Sequence, residues 1–99
     1  DDMRDSNTFL QGRWDELAYL HIIPRLRTEL VRTRRWRFRK YQGVFVASEL
    51  VSWFVDSGFA ASRSTAVIHA KHMFAFGLIS HVYRAHQFQD EWKFFRFHV

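Results

Sequence analysis

From Trp14 to about Glu29 the apolar residues recur at helical steps, with Tyr19, Ile22, Ile23, Leu26 and Leu30 three or four residues apart. Pro24 lies inside this stretch and predicts either a kink or a second helix with proline near its first position. At "WRFRKYQGVFV" the period changes. Trp36 and Phe38 fall on one face of an extended chain, and Arg35, Arg37 and Arg39 on the other. Gly43 suits a turn or a bulge. Residues 30–46 therefore read as the two arms of a hairpin.

Helical spacing returns in "SELVSWFVDSG", where Leu50, Val51, Phe54 and Val55 form a stripe. Ser48 is placed to start this helix, Glu49 suits its first turn, and Gly58 its end. "SRSTAVIHAKHMFAFG" predicts a longer helix, capped by Ser62 and stopped by Gly77. Ala66, Val67, Ala70, Met73, Phe74 and Gly77 share one face of it. The chain then reads as a β-wing: a strand "LISHVY", a polar loop "RAHQFQDE", and a strand "WKFFRFHV" in which Phe95, Phe97 and Val99 alternate with Arg96 and His98. The predicted fold is α+β and winged-helix-like. Three helices bundle together, a β-hairpin arm joins helices 1 and 2, and a C-terminal β-hairpin forms the wing.

Composition agrees with a single packed domain. The chain has 99 residues and is 47% hydrophobic, with 11 Phe and 4 Trp. That is too apolar for a disordered chain. There is no cysteine, which excludes disulfides and thiolate zinc sites and points to an intracellular, reducing setting. No apolar run approaches the ~20 residues of a transmembrane helix. The polar residues 1–13 read as a flexible extension, with the domain proper at 14–99, the arm at about 30–46 and the wing at about 78–99. The chain opens on Asp1 and reads as a domain cut from a longer protein.

Charge sharpens this picture. Residues 25–40 carry eight Arg or Lys against the single acid Glu29, while residues 41–99 carry five bases against four acids. The basic character is thus one local block, as recognition of a polyanion or an acidic partner requires. In "RTRRWRFRK" six of nine residues are basic.

Several motifs identify the chain further. An aromatic precedes a small-residue turn (Phe45, then Ala47-Ser48-Glu49), and a Trp-aromatic pair follows (Trp53-Phe54). Arg63 and Ala66 open the third helix, and Gly77-Leu78-Ile79 leads to His81-Val82. Phe88-x-Asp90 then precedes a last aromatic strand with Phe95 and Phe97. This ordered set, from about Leu26 to Phe97, resembles the DEP domain, named for Dishevelled, a worm G-protein regulator and pleckstrin. The family often has Gly where this chain has Ala47, and Asp where it has Ser52. The first 25 residues carry no family signal.

The resemblance implies a non-enzymatic signalling module. DEP domains bring signalling proteins to membranes through acidic phospholipids or intracellular parts of receptors. Some make regulatory contacts within their own protein or form domain-swapped dimers, and both stay open here. In members that engage membranes and receptors, the hairpin after the first helix carries much of the contact. Here that hairpin is the basic block, so Arg34, Arg35, Trp36, Arg37, Arg39 and Lys40 are the candidate lipid- or partner-binding residues. The expected partner is an anionic membrane surface or an acidic intracellular segment of a receptor or transporter, with cytoplasmic placement and peripheral membrane association. The five bases from Arg34 to Lys40 would supply roughly 5 kcal/mol near an anionic leaflet at best, and that attraction weakens with salt. Trp36 has the apolar ring and polar N–H of an interfacial residue. The alternative is a protein-docking or intramolecular regulatory module that uses a helical or wing surface and leaves the arm solvated.

Other chemistries rank lower. Winged helices often read DNA, but the third helix offers mainly Arg63, Lys71, His69 and His72 among apolar residues, which is poor for base readout. His69 and His72 are spaced for one edge of a metal site, yet no cysteine and no nearby carboxylate pair completes it. They read instead as surface or boundary residues. No nucleophile elbow or phosphate-binding glycine loop occurs, so neither catalysis nor a cofactor is expected. Phe45, Trp53, Phe54, Phe74, Phe95 and Phe97 read as core.

Overall fold

Asp15 starts the first helix of the computed structural model, which describes residues 14–99: its carboxylate accepts the Ala18 N–H at 2.9 Å. Helix α1 (Glu16–Leu30) is continuous through Pro24, so no second helix starts there. Proline removes the helical hydrogen bond that its N–H would donate to the Leu20 carbonyl; Pro24 is exposed, and its own carbonyl accepts a bond from Thr28 Oγ1 at 3.1 Å. The opposite face buries Ala18, Tyr19, Ile22, Ile23 and Leu26.

Strands β1 (Arg32–Trp36) and β2 (Arg39–Val46) form the arm. The arm does not alternate throughout, as "WRFRK" suggests. Trp36 pairs with Arg39, and the two residues between them turn the chain with φ of 51° at Arg37 and 65° at Phe38. Positive φ at both central residues is the type I′ hairpin, whose twist matches that of the strands. Phe38 therefore leaves the face it would share with Trp36 and sits at the tip. Gly43 is the bulge. Between Arg32↔Val44 and Arg34↔Tyr41 one strand advances by an extra residue, and Gly43 takes φ 66° there.

Helix α2 (Ala47–Asp56) follows β2 without a loop. It begins one residue before Ser48, and no side chain caps it. The wing supplies the cap instead: Ala47 N–H and Ser48 N–H donate to the carbonyls of Lys93 and Glu91, both at 2.9 Å. Helix α3 (Arg63–Ala75) does use its serine, with Ser62 Oγ accepting the Thr65 N–H at 3.2 Å. It ends at Gly77, φ 77°, where Gly77 N–H and Leu78 N–H bond back to Phe74 and Met73 in a Schellman arrangement. Its buried face is Ala66, His69, Ala70 and Met73. Val67 and Phe74 are half-buried at its margin, and Gly77 is exposed.

The wing strands β3 (Ile79–His81) and β4 (Phe94–Phe97) are shorter than "LISHVY" and "WKFFRFHV" suggest, and the loop between them buries Phe88. All pairs are antiparallel, and the strand order is β1-β2-β4-β3. Among the described residues, three helices on a four-stranded sheet with a wing make an α+β, winged-helix-like fold.

Phe45, Phe95 and Phe97 point from the sheet into the main core with Leu26, Leu50, Phe54 and Met73. Phe45 stacks on Phe97 with ring centroids 4.5 Å apart. The alternate positions Val44, Val46 and Phe94 form a second, smaller cluster on the other face, flanked by Tyr41 and Val82. The predicted core residues Phe45, Trp53, Phe54, Phe95 and Phe97 are buried, and Phe74 is half-buried. The expected extension at residues 1–13 lies outside the described residues.

Candidate functional site: the basic arm

The outer end of the arm carries four exposed cations and one exposed aromatic side chain. Arg35, Arg37, Arg39 and Lys40 are exposed, and none forms an ion pair among the described residues. Phe38 is 109% exposed, so nothing among the described residues covers it. Two side-chain residues at positive φ cost about 1–2 kcal/mol each against an ordinary turn. Asn-Gly would relieve that cost and would remove the phenyl ring from the tip.

The remaining predicted site residues have other contacts. Arg34 is ion-paired with Glu49 at 2.8 Å and is half-buried, so it fastens the arm to α2. Its Nε is buried without a partner among the described residues. Trp36 is 46% exposed and packs on Trp92, centroids 5.1 Å apart, with the Arg37 guanidinium 5.3 Å from its ring. It belongs to neither the core nor the free tip.

Behind the tip lies an aromatic brace. Arg39 donates to Tyr83 Oη at 2.9 Å, and the Tyr41 and Tyr83 hydroxyls lie 2.8 Å apart. The bonds from Tyr41 and Arg39 lower the Tyr83 hydroxyl below the ordinary tyrosine value, while the same contact with Tyr83 raises Tyr41. Trp36, Tyr41, Tyr83, Trp92 and Phe94 line a cleft of about 310 Å³ with Arg37 and Lys93 at its rim. The arm is thus held against the wing up to its last pair, Trp36 and Arg39, and beyond that pair the Phe38 ring of the turn stands bare.

The sequence does not single out Phe38, Tyr41, Tyr83 and Trp92, which the structure places at or behind the tip of the arm. Nothing in Arg37-Phe38 signals a type I′ turn, and the partners on the wing are distant in sequence. A larger cleft of about 410 Å³ lies elsewhere, between α1 and α2, lined by Glu29, Glu49, Asp56 and Trp53 among others.

His69 corrects the boundary reading. It is 3% exposed, stacked on Phe54 at 5.0 Å, with Nδ1 2.9 Å from Tyr19 Oη. Burial, and then the nearby His72, lower its pKa. His72 is exposed, and its Nδ1 is 3.2 Å from the same hydroxyl. No group of three metal-ligating residues occurs among the described residues. In the would-be recognition helix, Arg63 is held by both carboxylate oxygens of Asp90 at 2.8 Å, by Ser52 Oγ and by the Ser48 carbonyl.

Comparison with known proteins places these features in one family. The profile described as "Domain found in Dishevelled, Egl-10, and Pleckstrin (DEP)" matches residues 30–97. The chain is 35% identical over 68 residues to a lysosomal cholesterol signaling protein of Mus musculus, covering 69% of this chain and 8% of that protein. It is 34% identical over 64 residues to a vacuolar membrane-associated protein of Eremothecium gossypii, covering 64% of this chain and 4% of the relative. A phosphatidylinositol 3,4,5-trisphosphate-dependent Rac exchanger of Mus musculus is 30% identical over 70 residues, covering 71% of this chain and 4% of its own. The chain therefore corresponds to a small part of each of these relatives.

Proposed function

The chain belongs to the DEP family, a domain of signalling proteins, and we propose that it holds its parent protein at anionic membrane surfaces through the tip of the basic arm. The observation that carries this reading is Phe38, bare at the apex of a hairpin in which Arg35, Arg37, Arg39 and Lys40 form no ion pair among the described residues. Arg35, Arg37, Arg39 and Lys40 would contribute about 4 kcal/mol together near an anionic leaflet. Arg34 is left out because Glu49 holds it. Burying the Phe38 ring in the acyl boundary would add about 1.5–3 kcal/mol. Attraction and insertion together give reversible, salt-sensitive association, suited to a peripheral module. The same tip would accept an acidic segment of a membrane receptor or transporter, with the ring entering an apolar pocket of that partner.

Two relatives support the membrane setting, since one is named as lysosomal and another as vacuolar membrane-associated. No described helix is long and apolar enough to cross a membrane. We read the module as non-enzymatic and without a cofactor. Base readout by α3 is disfavoured, because Arg63 is committed to Asp90. Flotation with neutral and with acidic vesicles tests the proposal: binding to acidic vesicles that Phe38→Asp abolishes supports it, and equal recovery with both vesicle types refutes it.

A further inference from the structure

Thr33 stands apart from the other hydroxyl residues of the domain. Among the described serines and threonines, it alone is exposed with a hydroxyl that makes no hydrogen bond. It lies in β1, which the strand order puts at an edge of the sheet, extended and open along one side. Its place is between the ladder pairs Arg32↔Val44 and Arg34↔Tyr41, opposite the extra residue of β2, where the bulge disrupts the ladder. Its chain neighbours include Arg32, Arg34 and Arg35, and no acid occurs from Val31 to Lys40.

The strand also decides what a charge at Thr33 would meet. The extra residue belongs to β2, so β1 keeps its regular step, and Thr33 and Arg35 share a face about 7 Å apart along the strand. Lys40 is the cross-strand partner of Arg35 and leaves the same face. The nearer arginines are engaged elsewhere: Arg34 by Glu49, and Arg32 by the carbonyls of Thr28, Glu29 and Val31 at the end of α1. Arg35 and Lys40, in contrast, form no ion pair among the described residues. We propose that Thr33 is a phosphorylation site for a protein kinase with an acidic substrate groove, and that its phosphate pairs with Arg35 and Lys40 and releases the arm from anionic membranes. The release rests on the membrane reading of the arm. In the transfer, a bond forms between Thr33 Oγ1 and the γ-phosphorus of ATP, the bond from that phosphorus to the β-γ bridging oxygen breaks, ADP leaves, and the hydroxyl proton passes to a carboxylate of the kinase. The product carries about −1.5 to −2 charges and three acceptor oxygens, enough to offset half of the four cations at the outer end of the arm.

The test treats the folded chain with a kinase that selects arginine-flanked threonines, maps the phosphate by mass spectrometry, and measures sedimentation with acidic vesicles before and after. Thr33 should take up phosphate, and Thr33→Val, which keeps the β-branched shape, should abolish that modification. Phosphorylation should weaken binding to acidic vesicles by about ten- to thirtyfold, and Thr33→Glu, with a single charge, by about fivefold. Phosphorus NMR reads the pairing without any membrane. The second pKa of the phosphate should lie lower in the folded chain than in a phosphorylated peptide of residues 30–40, and Arg35→Gln should raise it toward the peptide value. An unmodified chain that ignores acidic vesicles would refute the membrane reading and the release with it. Unmodified binding that phosphorylation leaves intact would refute the release alone. A kinase that modifies the peptide but not Thr33 of the folded chain, or a phosphate pKa equal in the two, would also overturn the proposal.

Discussion

Trp36 packs on Trp92 with ring centroids 5.1 Å apart, which anchors the last pair of the arm, just before its turn, to the wing. Two residues further on, Phe38 is bare. The arm is therefore a fixed projection with an uncovered apolar tip, and its parts can be altered separately.

Phe38→Gly separates function from stability. Glycine accepts φ 65° without strain and removes the ring. The variant should be more stable by about 1 kcal/mol in urea unfolding, yet bind acidic vesicles less well. A loss of stability would show that the ring packs on the domain.

Arg63 and Asp90 explain two of the family positions. The pair, doubly bonded at 2.8 Å, ties α3 to the wing loop that caps α2. Asp90→Asn should cost about 1 kcal/mol, discounted for partial exposure, and lower Tm by about 4–8 °C. Arg63 holds the Asp90 carboxyl below its ordinary pKa of 3.8, through its hydrogen bond first. That stability is fully present above the unfolded value and is lost as pH falls through the depressed one, so acid should erase the difference between Asn and Asp. Thermal melts across the acid range check both statements.

The buried His69 makes stability depend on pH near neutrality. Its folded pKa is depressed below 6.5, chiefly by burial, so the unfolded chain binds the proton first. His81 is depressed in the same direction, again chiefly by burial. Stability should be full above about pH 6.5 and decline as pH falls toward the depressed values. Tyr19→Phe removes the hydroxyl that meets His69 Nδ1 and should cost about 1–3 kcal/mol at neutral pH. Urea unfolding at about pH 7.5 and about pH 5.5 measures both effects.

Much of the fold was legible along the chain because hydrophobic period and caps act locally. The stripe from Tyr19 to Leu30, the Ser62 cap and the Gly77 stop all appear in the structure. The misreadings came from long-range partners. Ser48 is not the cap of α2, because the carbonyls of Glu91 and Lys93, more than forty residues away, meet the first N–H groups. His69 is internal because Tyr19 and Phe54 enclose it. The site was legible as charge but not as shape. Arg37-Phe38 has no turn signature, so the sequence leaves open whether Trp36 is exposed and does not single out Phe38, and nothing along the chain marks Arg34 as the partner of Glu49.

The most direct test of the central claim is sedimentation with neutral and with acidic vesicles at about 50 mM and about 500 mM salt, using the wild type and the triple variant Arg35→Glu, Arg37→Glu, Arg39→Glu. The wild type should bind acidic vesicles at low salt, weaken at high salt, and lose binding in the triple variant. Binding that ignores lipid charge, or that survives reversal of the three arginines, would contradict the arm as the membrane contact.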